Sequence, residues 1–472
     1  MALYIYNSLT RKKEEFLPLR APGVTVYTCG VTVYDESHIG HARSLYSFDV
    51  MRRYLEYRGF GVRFVRNITD VDDKIINRAN ELKVGWKELV DKYIDSYYQD
   101  ARALGIRKGD WEPRATENIP DMVAYIQILI DKGHAYEAGG DVYFNVRTFP
   151  GYGKLSGQSI DQMRSGSRIE PTESKKDPLD FALWKRSKEN EPSWPSPWGP
   201  GRPGWHIECS VMSQKFLETE TLDIHAGGRD LIFPHHENEI AQAESLTGKP
   251  FAKYWIHHGL LTINGQKMSK SLGNFVTIKD FLAKYKEADL LKLFFLSAHY
   301  SHPIDYNDEK IGETSKTLEG VAVLLGRIDS LSLPAESRRF RELDQLKAHF
   351  VDAMDNDFST PQALAAIHHL ISLIHEEIDN LEFVAQARKL LYELKDILGL
   401  EFKRKEVVVR VSASDTGSDT LPADVAELVR QRNAARKSGD FRAADRIRKE
   451  LTEKGFIVED SKDGTTSLRK KP

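Results

Sequence analysis

Residues 27–44 read Y-T-C-G-V-T-V-Y-D-E-S-H-I-G-H-A-R-S. The β-branched run Val24-Thr25-Val26 before them predicts a buried strand. A loop containing Gly30 then leads into a helix from about His38 to Arg58, with Leu45, Phe48, Val50, Met51, Tyr54 and Leu55 on its apolar face. Strand, loop and helix N-terminus is the layout in which backbone N–H groups and the helix dipole meet an anion. His38 and His41 stand at that point, with Gly40 between them for close approach of a ligand. Cys29, one of two cysteines in the chain, lies nine residues before His38. A phosphate cradle and a candidate metal ligand therefore share one short segment.

Working outward, Val62–Thr69 reads as a second strand, and Thr69-Asp70-Val71-Asp72-Asp73-Lys74 as the cap of the next helix. Strand, helix, strand at this spacing predicts a βαβ unit and a parallel sheet, whose ligands bind beyond the carboxyl ends of the strands. Amphipathic helices are expected at 86–105 and 116–132, and a strand at 142–146 after the turn Ala138–Asp141. This part reads as an insertion. Residues 191–203, rich in Pro, Trp and Gly, read as loop, with Trp205 opening a helix that carries Cys209. Leu222–His225 reads as a third strand, followed by Gly227-Gly228-Arg229-Asp230, where a carboxylate suits ribose hydroxyls. Pro234-His235-His236-Glu237-Asn238-Glu239 opens a helix, and a fourth strand spans about 254–263. Asn264-Gly265 turns that strand into Lys267-Met268-Ser269-Lys270-Ser271.

From 277 to 400 the pattern is helical, with runs at 288–300, 310–331, 342–354 and 361–398, and 403–420 reads as linker. Helices at 423–437 and 441–454 and a small hairpin around Asp463-Gly464 close the chain. Between Arg430 and Glu450 stand eight basic residues against three acidic ones, either a solvated face or an RNA-phosphate surface. The net charge of −3 gives no global pull toward nucleic acid. No apolar run reaches the roughly 20 residues of a membrane span. The first ten residues lack a secretory layout, and two distant cysteines suit a reducing compartment; cytoplasm is expected.

H-I-G-H alone is a short match, but K-M-S-K-S follows about 226 residues later, each at the end of a predicted strand. Together they suit attack of a carboxylate on the α-phosphate of ATP. His38 and His41 stabilise phosphate charge, and Lys267 and Lys270 neutralise departing pyrophosphate. Cys29, Cys209, His235 and Glu239 form a chemically sensible Zn²⁺ shell, His235 and Glu239 being spaced i, i+4. His236 with Glu239 is the rival pairing, and two buried apolar cysteines the reading without metal.

With these motifs the chain resembles the cysteinyl-tRNA synthetase family of class I aminoacyl-tRNA synthetases over essentially its whole length. Thr69–Ile75, Pro203–Ser210, Phe233–Glu239, Arg432–Arg436 and Ala444–Arg448 also carry the resemblance. It implies an α/β fold: a Rossmann-type parallel-sheet catalytic domain (1–285, connective insertion about 105–205), a stem and helical bundle (286–402), the linker, and a small α+β anticodon-binding module (421–472). It implies zinc on Cys29, Cys209, His235 and Glu239, and ATP, with Mg²⁺, around His38, Gly40, His41, Asp230 and Lys270. Substrate contacts are implied near Gly30, Thr69, Trp205 and His225, and anticodon reading by Arg436, Asp445 and Asp460. The implied partners are L-cysteine, ATP and tRNA(Cys), with the chain expected to be a monomer. Alternatives are a cysteine ligase with an amino-sugar acceptor and a non-catalytic RNA-binding relative. Where the family often carries Trp after G-T-T, this chain has Ser467-Leu468, which bears on the packing of the last hairpin. Zinc has a physical purpose here: serine differs from cysteine by one atom, an apolar pocket separates such near-isosteres by only about a hundredfold, and a metal prefers thiolate.

Overall fold

Six β-branched residues around Tyr27 make Gly23–Thr32 a strand of ten residues, longer than Val24–Val26 alone predicts. In the computed structural model, which describes residues 2–160, 175–268, 273–335, 338–403, 408–411, 422–454, 456–460 and 466–470, this strand is central to a four-stranded parallel sheet. The order across the sheet is Ala252–His258, Leu222–Gly228, Gly23–Thr32, Gly61–Thr69. Pairing of Gly23–Thr32 with Gly61–Thr69 slips between Thr28 and Val31, so Cys29 and Gly30 form a bulge rather than the expected loop. Gly30 is obligatory there: its N–H donates to Asn67 Oδ1 at 2.8 Å, and a Cβ would overlap the Asn67 carbonyl.

Helix Ile39–Tyr57 crosses between the first two strands, with Leu45, Phe48, Val50, Met51, Tyr54 and Leu55 all buried as expected. Helix Glu237–Thr247 makes the other crossover. Between them, helix Ile119–Asp131 packs with an antiparallel sheet ordered Ala135–Ala138, Asp141–Phe144, Phe181–Arg186, Gly201–Pro203, closing its own core around Phe144 and Trp184. The expected loop 191–203 therefore ends in a strand. Gly201–Pro203 pairs with Phe181–Arg186, and buried Arg202 bonds Asp73. The strand expected over 254–263 is two strands in different sheets. It breaks at Gly259-Leu260, after which Leu261–Ile263 pairs with Gln266–Lys267 and with Ile304–Tyr306. Asn264 and Gly265, at φ 49° and 75°, form the reversal that Asn-Gly predicts. Pro234 lies in an irregular segment, Ile232–His236, ahead of the helix rather than inside its first turn, because Phe233 is extended.

Helices Ala288–Leu296, Asp308–Asp329, Arg341–Asp355, Thr360–Glu376 and Leu381–Ile397 follow. The continuous run expected over 361–398 is broken where the Asn380 side chain accepts from Phe383 N and caps the second helix. Two compact units emerge. One comprises Met1–Thr314, Arg341–Leu370 and Leu390–Glu401; the other comprises Ser315–Phe340, Ile371–Lys389 and Phe402–Pro472. Part of the expected linker is structural: Val408–Val411 adds a third strand to the hairpin Phe456–Asp460/Thr466–Lys470. Its valines are strong strand formers, masked in the sequence by the charged and Ser-rich residues around them. Leu468, one residue past the position where the family often carries tryptophan, is buried with Val425, Val429, Leu451 and Val458. Asp463-Gly464 lies outside the described residues.

Candidate active site

The carboxyl end of the parallel sheet collects the side chains singled out above. His38 caps helix Ile39–Tyr57: its Nδ1 accepts from Gly40 N at 3.1 Å and His41 N at 3.3 Å, while His41 Nδ1 accepts from His38 N at 3.3 Å. With both Nδ1 atoms accepting, both rings carry their proton on Nε2. The rings stack with centroids 3.7 Å apart. Burial first, and then the neighbouring His38, hold His41 well below the usual imidazole range, so it is a neutral donor. Gly40 serves this arrangement directly, since a Cβ there would come within 2.9 Å of the His38 ring.

The lysine-bearing loop begins beside this turn. Met268 Cε lies 3.9 Å from where a Gly40 Cβ would stand, and Ile39 N donates to Val276 O at 3.1 Å. Lys267 is exposed on strand Gln266–Lys267; Lys270 lies outside the described residues. Asp230 is exposed just beyond Leu222–Gly228, its carboxylate curled over Gly228.

Cys29, Cys209, His235 and Glu239 offer ligand atoms that all lie within 4.8 Å of one another. The bulge aims Cys29, the second turn of helix Trp205–Leu217 supplies Cys209, and Glu239 stands in the first turn of Glu237–Thr247. His235 Nε2 is 2.9 Å from Glu239 Oε1 and 3.5 Å from Cys209 Sγ, and Cys29 Sγ is 3.6 Å from the same Oε1. A second set, Cys29, His225, His236 and Glu239, meets the same distance criterion. Chemistry separates the two. The first has two thiols, which Zn²⁺ favours, and its other atoms are held from behind. His225 Nε2 lies 2.7 Å from Glu239 Oε2, leaving Oε1 for the centre. His206 Nδ1 lies 2.9 Å from His235 Nδ1, and Trp205 stacks on the His235 ring at 4.2 Å. In the second set His236 is backed in the same way, its Nδ1 2.8 Å from His257 Nε2 and its Nε2 3.2 Å from Cys29 Sγ, so the second thiol is what separates the two.

The charges sort accordingly. Burial pushes Cys209 up, but the Cys29 thiol and His235 bring it to about 6, whereas burial and Cys209 push Cys29 well up. Burial works against ionising Glu239, yet His225 and His235 hold it well below the carboxylate range. His235 reaches about 10: burial disfavours its charge, and Glu239 and Cys209 outweigh that. The centre gathers thiol, imidazole and carboxylate donors whose shared protons a divalent cation would displace.

Of the expected substrate contacts, Gly30 makes the strand contact described above and His225 reaches the centre through Glu239. Thr69 is buried and donates to Glu208 Oε2 at 2.7 Å. Glu208 Oε1, also buried, has no hydrogen-bond partner among the described residues, and burial raises its carboxyl well above the usual range. Sequence reasoning missed Glu208, His206 and His257 and weighed His236 only as a rival ligand; the one signal for Glu208 and His206 was that they adjoin Cys209 and Trp205. Arg436 and Asp445 are exposed on helices Ala423–Lys437 and Phe441–Glu453, and Asp460 lies on strand Phe456–Asp460. No helix among the described residues is long and apolar enough to cross a membrane.

Residues 15–316 match the family model of the tRNA synthetases class I (C) catalytic domain, residues 349–403 the DALR domain, and residues 418–466 the cysteinyl-tRNA ligase anticodon binding domain. The chain is 49% identical to the cysteine–tRNA ligase of Sulfurihydrogenibium sp. (strain YO3AOP1), over 98% of this chain and 99% of that protein. It is 48% identical to that of Persephonella marina (strain DSM 14350 / EX-H1), over 100% of both. Among solved structures, Mycobacterium tuberculosis methionyl-tRNA synthetase in complex with methionyl-adenylate shares the fold at TM-score 0.59 and 17% identity, over 80% of this chain and 90% of that one.

Proposed function

The chain belongs to the cysteine–tRNA ligase family of class I aminoacyl-tRNA synthetases, and we propose that its paired-thiol centre selects L-cysteine beside the turn that activates it. The reaction is activation of L-cysteine with ATP to cysteinyl adenylate and pyrophosphate, followed by transfer to the 3′ end of tRNA(Cys). The observation carrying the proposal is the convergence of Cys29, Cys209, His235 and Glu239 on one strand bulge just ahead of the His38 cap.

A bound Zn²⁺ would supply preference for thiolate over alcohol. The chain's own residues do the rest. His225 and His206 hold the Glu239 and His235 donors in orientation. His38 and His41, neutral and protonated on Nε2, donate to the α-phosphate region as the substrate carboxylate attacks. Asp230 accepts from the ribose. Lys267 and Lys270 neutralise the pyrophosphate of Mg²⁺-bound ATP as it leaves. Thr69 and Trp205 line the amino-acid end, and Arg436, Asp445 and Asp460 face the anticodon. The enzyme acts as a cytoplasmic monomer.

The test is cysteine-dependent ATP–pyrophosphate exchange, followed by charging of tRNA(Cys) with and without residues 421–472. Exchange should survive the truncation and charging should collapse. Absence of exchange in the full chain refutes the proposal, and exchange without charging of tRNA by the full chain would favour an amino-sugar acceptor.

A further inference from the structure

Helix Ile39–Tyr57 holds a buried cation that no step above uses. Arg43, two residues beyond His41 on this helix, is 1% exposed. Four backbone carbonyls accept from it: Gly259 O and Leu260 O from Nη1, each at 2.8 Å, and Tyr300 O at 3.3 Å and His302 O from Nη2. Burying a guanidinium is costly unless its donors are satisfied, and here convergent carbonyl dipoles satisfy them.

Those carbonyls belong to two segments that cross. Gly259-Leu260 leads from core strand Ala252–His258 into the hairpin presenting Lys267, and Tyr300–His302 leads into Ile304–Tyr306, which pairs with that hairpin. Gly259 N donates to Tyr300 O at 2.8 Å and Ile304 N to Leu260 O at 3.0 Å. The crossing is so close that a Cβ on Gly259 would overlap the His302 carbonyl. Where the lysine-bearing loop returns, Ile39 N donates to Val276 O at 3.1 Å and Ile278 N to Ser37 O at 2.9 Å. The loop is fastened at entry and exit to the beginning of the helix capped by His38.

We propose that Arg43 is a positioning residue whose four-carbonyl clamp sets the Lys267 hairpin in register with His38 and His41. It rests on the roles given above to those histidines and to Lys267. Lysine keeps the charge but lacks the planar fork that spans both segments, so Arg43→Lys isolates the geometry.

The experiment is single-turnover pyrophosphate release with Arg43→Lys, Lys267→Ala and the double variant. Arg43→Lys should slow adenylate formation about 10- to 100-fold, the loss expected of a misplacement near 1 Å, with KM for cysteine changed by less than about threefold. In the Lys267→Ala background the same change should cost less than about threefold, because the lysine that the clamped hairpin presents is gone. Transfer from preformed cysteinyl adenylate to tRNA should stay within about twofold of wild type. Multiplicative losses in the double variant, or equal loss of adenylation and transfer, would overturn the proposal by reducing Arg43 to a structural part. If Arg43→Lys is not recovered folded, hydrogen exchange of the wild type decides: the Gly259 and Ile304 amides should exchange as slowly as the core strands, and loop-like exchange would overturn the clamp. Wild-type enzyme without cysteine-dependent pyrophosphate release would refute the function, a separate outcome.

Discussion

Replacing His206 by alanine should weaken zinc binding without removing a ligand. His235 presents Nε2 to Glu239 and Cys209, so its Nδ1 carries the proton and donates to His206 Nδ1 at 2.9 Å. Burial, then the neighbouring His235, hold His206 well below the imidazole range, leaving it neutral and able to accept. Loss of such an orienting partner usually costs 10- to 100-fold in metal affinity, about 1.4–2.7 kcal/mol. Here the lower end applies. Trp205, stacked on the ring at 4.2 Å, still restrains its plane, so His206→Ala should weaken binding by about tenfold and His206→Ala/Trp205→Ala by about a hundredfold. Competition with a chromophoric zinc chelator measures both. An unchanged affinity for the double variant would refute the argument that His235 is the ligand held from behind, and would shift weight to the set containing His225 and His236.

Gly30→Ala should cost at least about 3 kcal/mol or prevent folding, measured by urea unfolding, because the new methyl collides with the Asn67 carbonyl inside the parallel sheet; a variant of wild-type stability would disprove the close approach. Asp100 is 3% exposed, its Oδ2 has no hydrogen-bond partner among the described residues, and burial pushes its carboxyl from 3.8 to about 6. A carboxyl whose folded pKa is raised opposes folding as pH climbs from 3.8 through 6. Asp100→Asn should therefore add about 1 kcal/mol at pH 7.5, after allowance for solvent screening, and nothing near pH 3. Paired thermal unfolding at the two pH values checks this, and a gain that ignores pH would contradict it.

Hydrophobic period and turn chemistry made most of the fold legible in the sequence. The buried face of Ile39–Tyr57, the parallel pairing of its flanking strands and the Asn264-Gly265 reversal all follow from local pattern. What escaped depended on partners distant in sequence. Val408–Val411 reads as linker until Thr466–Lys470 pairs with it, and Gly201–Pro203 reads as loop until Phe181–Arg186 does. The site divides in the same way. Residues with distinctive chemistry, the two thiols and the histidine and lysine signatures, stood out by type. His206 and Arg43 act through contacts made only in three dimensions, and nothing in their sequence neighbourhood shows which carbonyl or imidazole they meet.

The central claim is that amino-acid choice resides in the paired-thiol centre beside the histidine turn. It is tested most directly by ATP–pyrophosphate exchange with cysteine and with serine, before and after zinc removal and after zinc is restored. Zinc-loaded enzyme should prefer cysteine by well over the roughly hundredfold available to an apolar pocket, and removal should abolish most of that preference until zinc returns. Discrimination that survives complete removal of the metal would contradict the account.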